Sequence, residues 1–245
     1  MNNINVLIAC EESQRVCIAF RNRGFNAYSC DIQYCSGGRP EWHIQEDVTQ
    51  LLNGKQHFVT MDGAYHVVDK WDLIIAHPPC TYLTVTGNRW FNVERYGERA
   101  LKRINERKKA IVFFMMFANA KCEHIAIENP VGIMSTEWRK PEQIIQPYYF
   151  GEPFEKKTCL WLRGLPLLRS TNVVNPEPRI YFKSGKSMPA WYCKASNKSP
   201  SVRSKERSKT FPGIAAAMAK QWGDYLINLK NESCDYTTTI TVKGV

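Results

Sequence analysis

An α/β fold organised on a parallel sheet is what this sequence predicts, on three observations. Residues 5–9, 71–76 and 125–127 are short apolar runs without polar alternation, as expected of strands covered on both faces. The first run leads through a polar turn and an amphipathic stretch into a second apolar run, the order of a βαβ unit. A length of 245 residues suits one domain with a substantial core and a small insertion.

Residues 5–9 form the first strand, Cys10, Glu11, Glu12, Ser13 and Gln14 a polar turn, and residues 15–23 a helix that Gly24 stops. Residues 25–30 are the second strand, closed by Asp31. A carboxylate at that tip, about 20 residues after the first turn, is placed to accept ribose hydroxyls in a nucleotide-binding crevice. The glycines that cradle a pyrophosphate are missing; Glu11 and Glu12 stand there and would repel one. Such a turn is compatible with a cofactor that carries a positive centre, and equally with acidic residues favoured by the start of a helix. Residues 32–42 are loop, punctuated by Gly and Pro, and residues 47–54 a short element beginning at Asp47, a good helix N-cap. Residues 55–70 carry no decisive pattern.

The run 71–76 leads into His77, Pro78, Pro79 and Cys80. Two prolines cannot extend a ladder, so the strand ends and delivers Cys80 to the crevice outside the carboxyl ends of the sheet. A thiol there can act as a nucleophile, although many cysteines are simply small buried hydrophobes. Residues 81–95, with Gly87, Asn88, Trp90 and Phe91, are too irregular for a strand and too aromatic for a plain linker. Residues 98–121 read as the longest helix, its basic start (Lys102, Arg103, Arg107, Lys108, Lys109) of the kind that usually forms a solvated face. That helix delivers the chain to a strand ended by Glu128, Asn129 and Pro130. A carboxylate and a thiol at neighbouring strand ends make an acid and nucleophile pair.

A formal net charge of +10 and a pI near 9.2 are the footprint of a phosphate-rich partner. Between Pro178 and Lys205 there is no acidic residue, and Arg179, Lys183, Lys186, Lys194, Lys198, Arg203 and Lys205 alternate with Tyr181, Phe182, Trp191 and Tyr192. That interleaving suits phosphate contacts and base stacking, with Trp191 and Arg203 as substrate-binding candidates; a solvated basic loop is the alternative. Nine cysteines without a Cys-x-x-Cys pair indicate reduced thiols and a cytoplasmic location. Cys30, Cys35 and His43 come nearest to ligand spacing, but structural zinc sites use tight pairs, so no metal is expected. The longest apolar run, residues 110–118, falls well short of the ~20 that span a membrane.

A strand ending in Pro79-Cys80 and a later strand ending in Glu128-Asn129 resemble the cytosine-C5 DNA methyltransferases, whose nucleophile sits in a Pro-Cys motif and whose acid sits in a Glu-Asn-Val motif. Pro130 stands where Val is usual, and Thr81 where the family has Gln. The segment from Tyr148 to Leu162 is similar to the family's aromatic-Gly-x-Pro-Gln-x-Arg-x-Arg run, with Lys156 for the first Arg, Phe154 for Gln and Thr158 for the second Arg. With the start Ala9-Cys10-Glu11 and the late Pro212-Gly213-Ile214-Ala215, the details look most like the small phage and prophage members. The resemblance implies a Rossmann-like, S-adenosylmethionine-dependent fold with a mixed, mainly parallel sheet and a small target-recognition insertion. The core would be residues 1–162 and 207–230, the insertion 163–206, and 231–245 a tail without a signal and open to disorder.

By the same resemblance Cys80, Glu128 and Lys156 are catalytic, and Cys10, Glu11, Asp31, Asp47 and Pro78 bind the cofactor. Asn129, Lys157, Trp191 and Arg203 bind the substrate, the mobile loop after Cys80 closes over a flipped base, and the last helix returns beside the cofactor. The implied reaction is methyl transfer to C5 of cytosine in DNA through a Cys80–C6 adduct, by a monomer in a bacterial host cell. The alternatives are a binding protein that keeps the fold without activity, and an enzyme for a free cytosine nucleotide. Transfer to an exocyclic amine calls for Asp/Asn-Pro-Pro-aromatic, which His77-Pro78-Pro79-Cys80 does not supply.

Overall fold

The computed structural model describes the backbone of residues 4–197 and 199–241, and their side chains apart from residues 200, 201, 204 and 233–241. Its strands in chain order are β1 (Asn5–Ala9), β2 (Asn26–Cys30), β3 (His43–Ile44), β4 (His57–Val59), β5 (Tyr65–Val67), β6 (Leu73–Ala76), β7 (Ile125–Pro130), β8 (Gln143–Ile145), β9 (Thr158–Arg163), β10 (Arg179–Tyr181) and β11 (Ser187–Pro189). The helices are α1 (Arg15–Arg21), the single turns α2 (Thr49–Leu52), α3 (Val93–Tyr96) and α5 (Met134–Glu137), and α4 (Glu98–Ala118), α6 (Ala190–Ser196), α7 (Pro200–Ser208) and α8 (Pro212–Thr241).

Seven strands make one sheet in the order β3-β2-β1-β6-β7-β9-β8. The first five run parallel and β9 is antiparallel to both of its neighbours, so the sheet is mixed and mainly parallel, as predicted. Strands β1 and β6 are buried along their whole length because helices cover both faces. Val16 and Phe20 of α1 pack with Met218 and Trp222 of α8 on one face, and Leu51 of α2 with Phe114 and Phe117 of α4 on the other. The chain leaves β1 toward β2 and β3, then returns on the other side at β6. Neighbouring strand ends therefore diverge between β1 and β6, which opens a crevice at their carboxyl ends.

Two expectations change. The longest helix is α8, of 30 residues, not α4, of 21. It runs through residues 231–241, where the sequence carries no signal, because its Ala-rich start buries Ile214, Ala215 and Met218 and extends from there. The unassigned residues 55–70 form the antiparallel ribbon β4–β5, packed by Phe58 against Tyr28 and Trp71. A second ribbon, β10–β11, opens the basic segment and leads into α6.

Candidate active site

Parallel register brings the expected pair together. Ala76 of β6 lies opposite Ile127 of β7, so the next residues, His77 and Glu128, stand side by side where β6 ends, while β7 continues to Pro130 beside β9. Pro78 and Pro79 then turn the chain and present Cys80 at a cavity of about 910 Å³. This cavity is lined by Cys80, Glu128 and Lys156, and also by Cys10, Glu11, Pro78, Asn129, Lys157, Trp191 and Arg203. The turn is held from three sides. Asn129 Nδ2 donates to the Pro78 carbonyl at 2.7 Å, the Leu83 and Thr84 amides donate to the Cys80 carbonyl at 3.0 Å, and the Ile133 amide donates to Leu83 at 2.8 Å. Gly132 permits that last approach, since a Cβ there would lie 2.3 Å from the Leu83 carbonyl oxygen.

Electrostatics set the resting charges. Burial, and then the Glu128 charge, push the Cys80 thiol above the ordinary range, against the pull of Lys156. The thiol therefore rests protonated at neutral pH. Burial also works against ionisation of Glu128, but the hydrogen bond from His77 and the Lys156 charge outweigh it and hold the carboxyl below its ordinary range. The His77 Nδ1 to Glu128 Oε2 distance is 3.0 Å. Lys156 Nζ donates to the Arg207 carbonyl at 2.8 Å, which leaves its charge within reach of both groups.

The polar turn after β1 divides its labour. Both Glu11 oxygens accept helix amides, Val16 at 2.7 Å and Cys17 at 3.1 Å, so Glu11 serves the start of α1. Glu12, 8% exposed, lines the cavity with both carboxylate oxygens buried and without a hydrogen-bond partner. Cys10 and Gln14 adopt φ of 59° and 58°, a left-handed turn made without glycine. Burial first, and then the charges of Asp31 and Asp47, push the Cys10 thiol up, so these two carboxylates stand around the β1 end although neither lines the cavity. Asp31 Oδ1 accepts the Gln33 amide at 2.9 Å, and burial raises its carboxyl. Asp47 is exposed and accepts the Thr49 amide at 2.9 Å from one residue ahead of Val48, which holds the N-cap position that the sequence suggested for Asp47. His43 is spent on Ser29 Oγ and the Gln33 carbonyl, each at 2.9 Å.

Basic residues rim the cavity on two sides. From the loop after Cys80 and from α4 come Arg89 and Arg103, and from the opposite wall Lys157, Arg203, Arg207 and Lys209. The basic start of α4 is thus not simply a solvated face. Arg107 lies 3.3 Å from the Phe91 ring and donates to the Tyr82 carbonyl, while Arg103 covers Tyr82 and Phe91, and together they hold the aromatic loop 81–95. In the basic segment, Arg179 is paired with Glu155, and Trp191 packs against Phe154 and Phe211 with its Nε1 on the Glu155 carbonyl. The Tyr192 ring is covered by Arg207 at 3.4 Å. Lys183, Lys186, Lys194 and Lys205 are exposed, and Lys198 lies outside the described residues. A second cavity, of about 580 Å³ at the β4–β5 ribbon, holds none of the expected residues.

Sequence reasoning gave no role at the site to His77, Arg89 or Arg103, and read Glu12 only together with Glu11, as an acidic turn suited to a positive centre. Only Glu12 had a signal, as the second acid of a turn in which one acid suffices to start the helix.

No family model matches the chain, and no curated protein matches it. Similar solved structures include a proposed DNA modification methyltransferase encoded within an E. coli prophage, 13% identical with a TM-score of 0.41, and a methyltransferase of Entamoeba histolytica, 14% identical with a TM-score of 0.41. Each likeness covers 71% of this chain, against 52% and 58% of the other two, so the chain spans little more than half their length.

Proposed function

We propose that this chain transfers a methyl group from S-adenosylmethionine to C5 of a cytosine extruded from DNA, through a covalent bond between Cys80 and C6. The observation that carries the reading is the meeting of Cys80, Glu128 and Lys156 on one cavity, Cys80 just past the end of β6, Glu128 on the adjacent parallel β7 and Lys156 ahead of β9. A nucleophile, an acid and a cation in that arrangement suit addition to an electron-poor ring.

The acidic turn fits the cofactor. The unpartnered, buried Glu12 oxygens favour a cationic group and disfavour a pyrophosphate. Asp31 at the tip of β2 suits ribose hydroxyls, and Ile32 beside it, 73% exposed, offers an apolar face to a purine. When bound, S-adenosylmethionine would supply an electrophilic methyl group.

The chain's own residues do the rest. As the sulfur bonds to C6, the Cys80 S–H bond breaks and its proton passes to the Glu128 carboxylate, which hands a proton on to N3 and so makes C5 nucleophilic. After C5 is alkylated, its proton leaves to water as the S–C6 bond breaks, and the N3 proton returns through Glu128 to the sulfur and restores the thiol. Lys156 offsets the negative charge that both steps place beside Glu128. The basic rim binds the backbone on either side of the extruded nucleotide, which pays the unstacking cost of a few kcal/mol.

DNA that carries 5-fluorocytosine tests the reading, because fluorine cannot leave as a proton does. Folded wild-type protein with S-adenosylmethionine should form a stable covalent adduct, and Cys80→Ala none. No adduct from wild-type protein, or methyl found on an exocyclic nitrogen of the product, refutes it.

A further inference from the structure

We propose that His77 is a positioning residue for the acid of this site, holding the Glu128 carboxyl and sharing with it the proton that the carboxyl must deliver. The inference rests on the functional reading above and adds to it a residue that neither motif contains. Three observations carry it. Register places His77 beside Glu128, and Nδ1 lies 3.0 Å from Oε2 with the two side chains 8% and 11% exposed. The other ring nitrogen, Nε2, is buried and has no hydrogen-bond partner. Finally, the chemistry needs a donor at N3, whereas Glu128 is held in its ionised form.

The groups that face the pair explain the arrangement. Glu11, from the turn after β1, is within electrostatic reach of His77. Lys156 and Cys80 face Glu128 from the cavity, and Cys159 faces it from β9. During addition, the proton released by the thiol passes to the His77–Glu128 pair, and the pair delivers one to N3 from the Glu128 carboxyl. One bond to hydrogen breaks and one forms at each exchange, so the count closes without an outside acid.

Two variants separate this role from simple bracing. His77→Asn keeps an N–H toward Glu128 but cannot store a proton, and His77→Phe removes both. The Glu128 carboxyl is followed by carbon-13 NMR against pH, its signal identified by its loss in Glu128→Gln. Its midpoint should rise by about one pH unit or more in His77→Phe. In His77→Asn, the rate of adduct formation with 5-fluorocytosine DNA should fall about 100-fold while S-adenosylmethionine affinity and thermal midpoint hold. A Glu128 midpoint unmoved in His77→Phe, or wild-type adduct rates in His77→Asn, overturns the proposal. Wild-type protein that forms no adduct overturns the C5 reading alone, and the carboxyl titration then decides the role of His77.

Discussion

Asn129 is where the holding of the thiol can be tested apart from its chemistry. It is 2% exposed, and its Nδ2 donates to the Pro78 carbonyl at 2.7 Å, tying the end of β7 to the turn that carries Cys80. Asn129→Ala removes the donor and leaves a buried carbonyl without it, worth about 1–3 kcal/mol, and the small void adds about 1 kcal/mol. Urea unfolding should therefore show a loss of roughly 2–4 kcal/mol. The loosening should also be local. The Leu83 and Thr84 amides bond to the Cys80 carbonyl, so their hydrogen exchange should accelerate about 10- to 100-fold, at ~1.4 kcal/mol per factor of ten, beyond any change at the β1 amides. Asn129→Asp sharpens the test, because a carboxylate facing a carbonyl repels it. That variant should be less stable than Asn129→Ala at neutral pH and recover in acid, where the protonated carboxyl can donate. An unchanged unfolding midpoint with unchanged exchange at Leu83 and Thr84 would refute the bracing role.

Three further outcomes follow from the same geometry. Asp31→Ala should weaken S-adenosylmethionine binding by about 1.5–3 kcal/mol, the worth of charged hydrogen bonds, and calorimetry that shows equal affinity removes Asp31 from the site. Burial raises the Cys122 and Cys159 thiols to about 11. With folded values above the unfolded ones, their stabilising contribution is complete below the ordinary thiol pKa and declines as pH rises toward 11, by about 1.4 kcal/mol per pH unit per thiol. Urea midpoints that stay flat from neutral pH to pH 11 contradict this. Replacing Lys157 and Arg203 by Gln should lower the slope of log affinity against log salt by ~0.9 per lost phosphate contact on duplex DNA, equally for all sequences; an unchanged slope takes these residues off the backbone.

What could be read from the sequence was what short-range patterning controls. β1 and the end of β6 were legible because strands covered on both faces lose polar alternation, and the prolines after His77 and Asn129 mark where ladders stop. The thiol and the carboxylate inherit their place from those stops. His77 was not legible, because its partner lies 51 residues away and the two meet only through the register of β6 on β7. Arg103 and Arg107 looked like a charged helix start because nothing local reveals that Tyr82 and Phe91 fold back over them. Asn129, expected to meet substrate, commits its amide nitrogen to Pro78, and its Oδ1 alone is left without a partner.

The charge along the cavity then orders what can bind where. Near the ends of β1 and β2 stand Glu12, Asp31 and Asp47, with Glu11 already neutralised in effect by two helix amides. Around the mouth stand Arg89, Arg103, Lys157, Arg203 and Lys209. A polyanion gains among the basic residues and loses near the strand ends, whereas a cationic small molecule does the reverse. Cys80, Glu128, His77 and Lys156 line the same cavity as Glu12 and these basic residues. There Lys156 pulls the Glu128 and Cys80 pKa values down while burial pushes both up. Entry of a neutral base deepens the burial without supplying a charge. For a base bound as proposed, this should raise the Glu128 carboxyl toward the range in which it can donate.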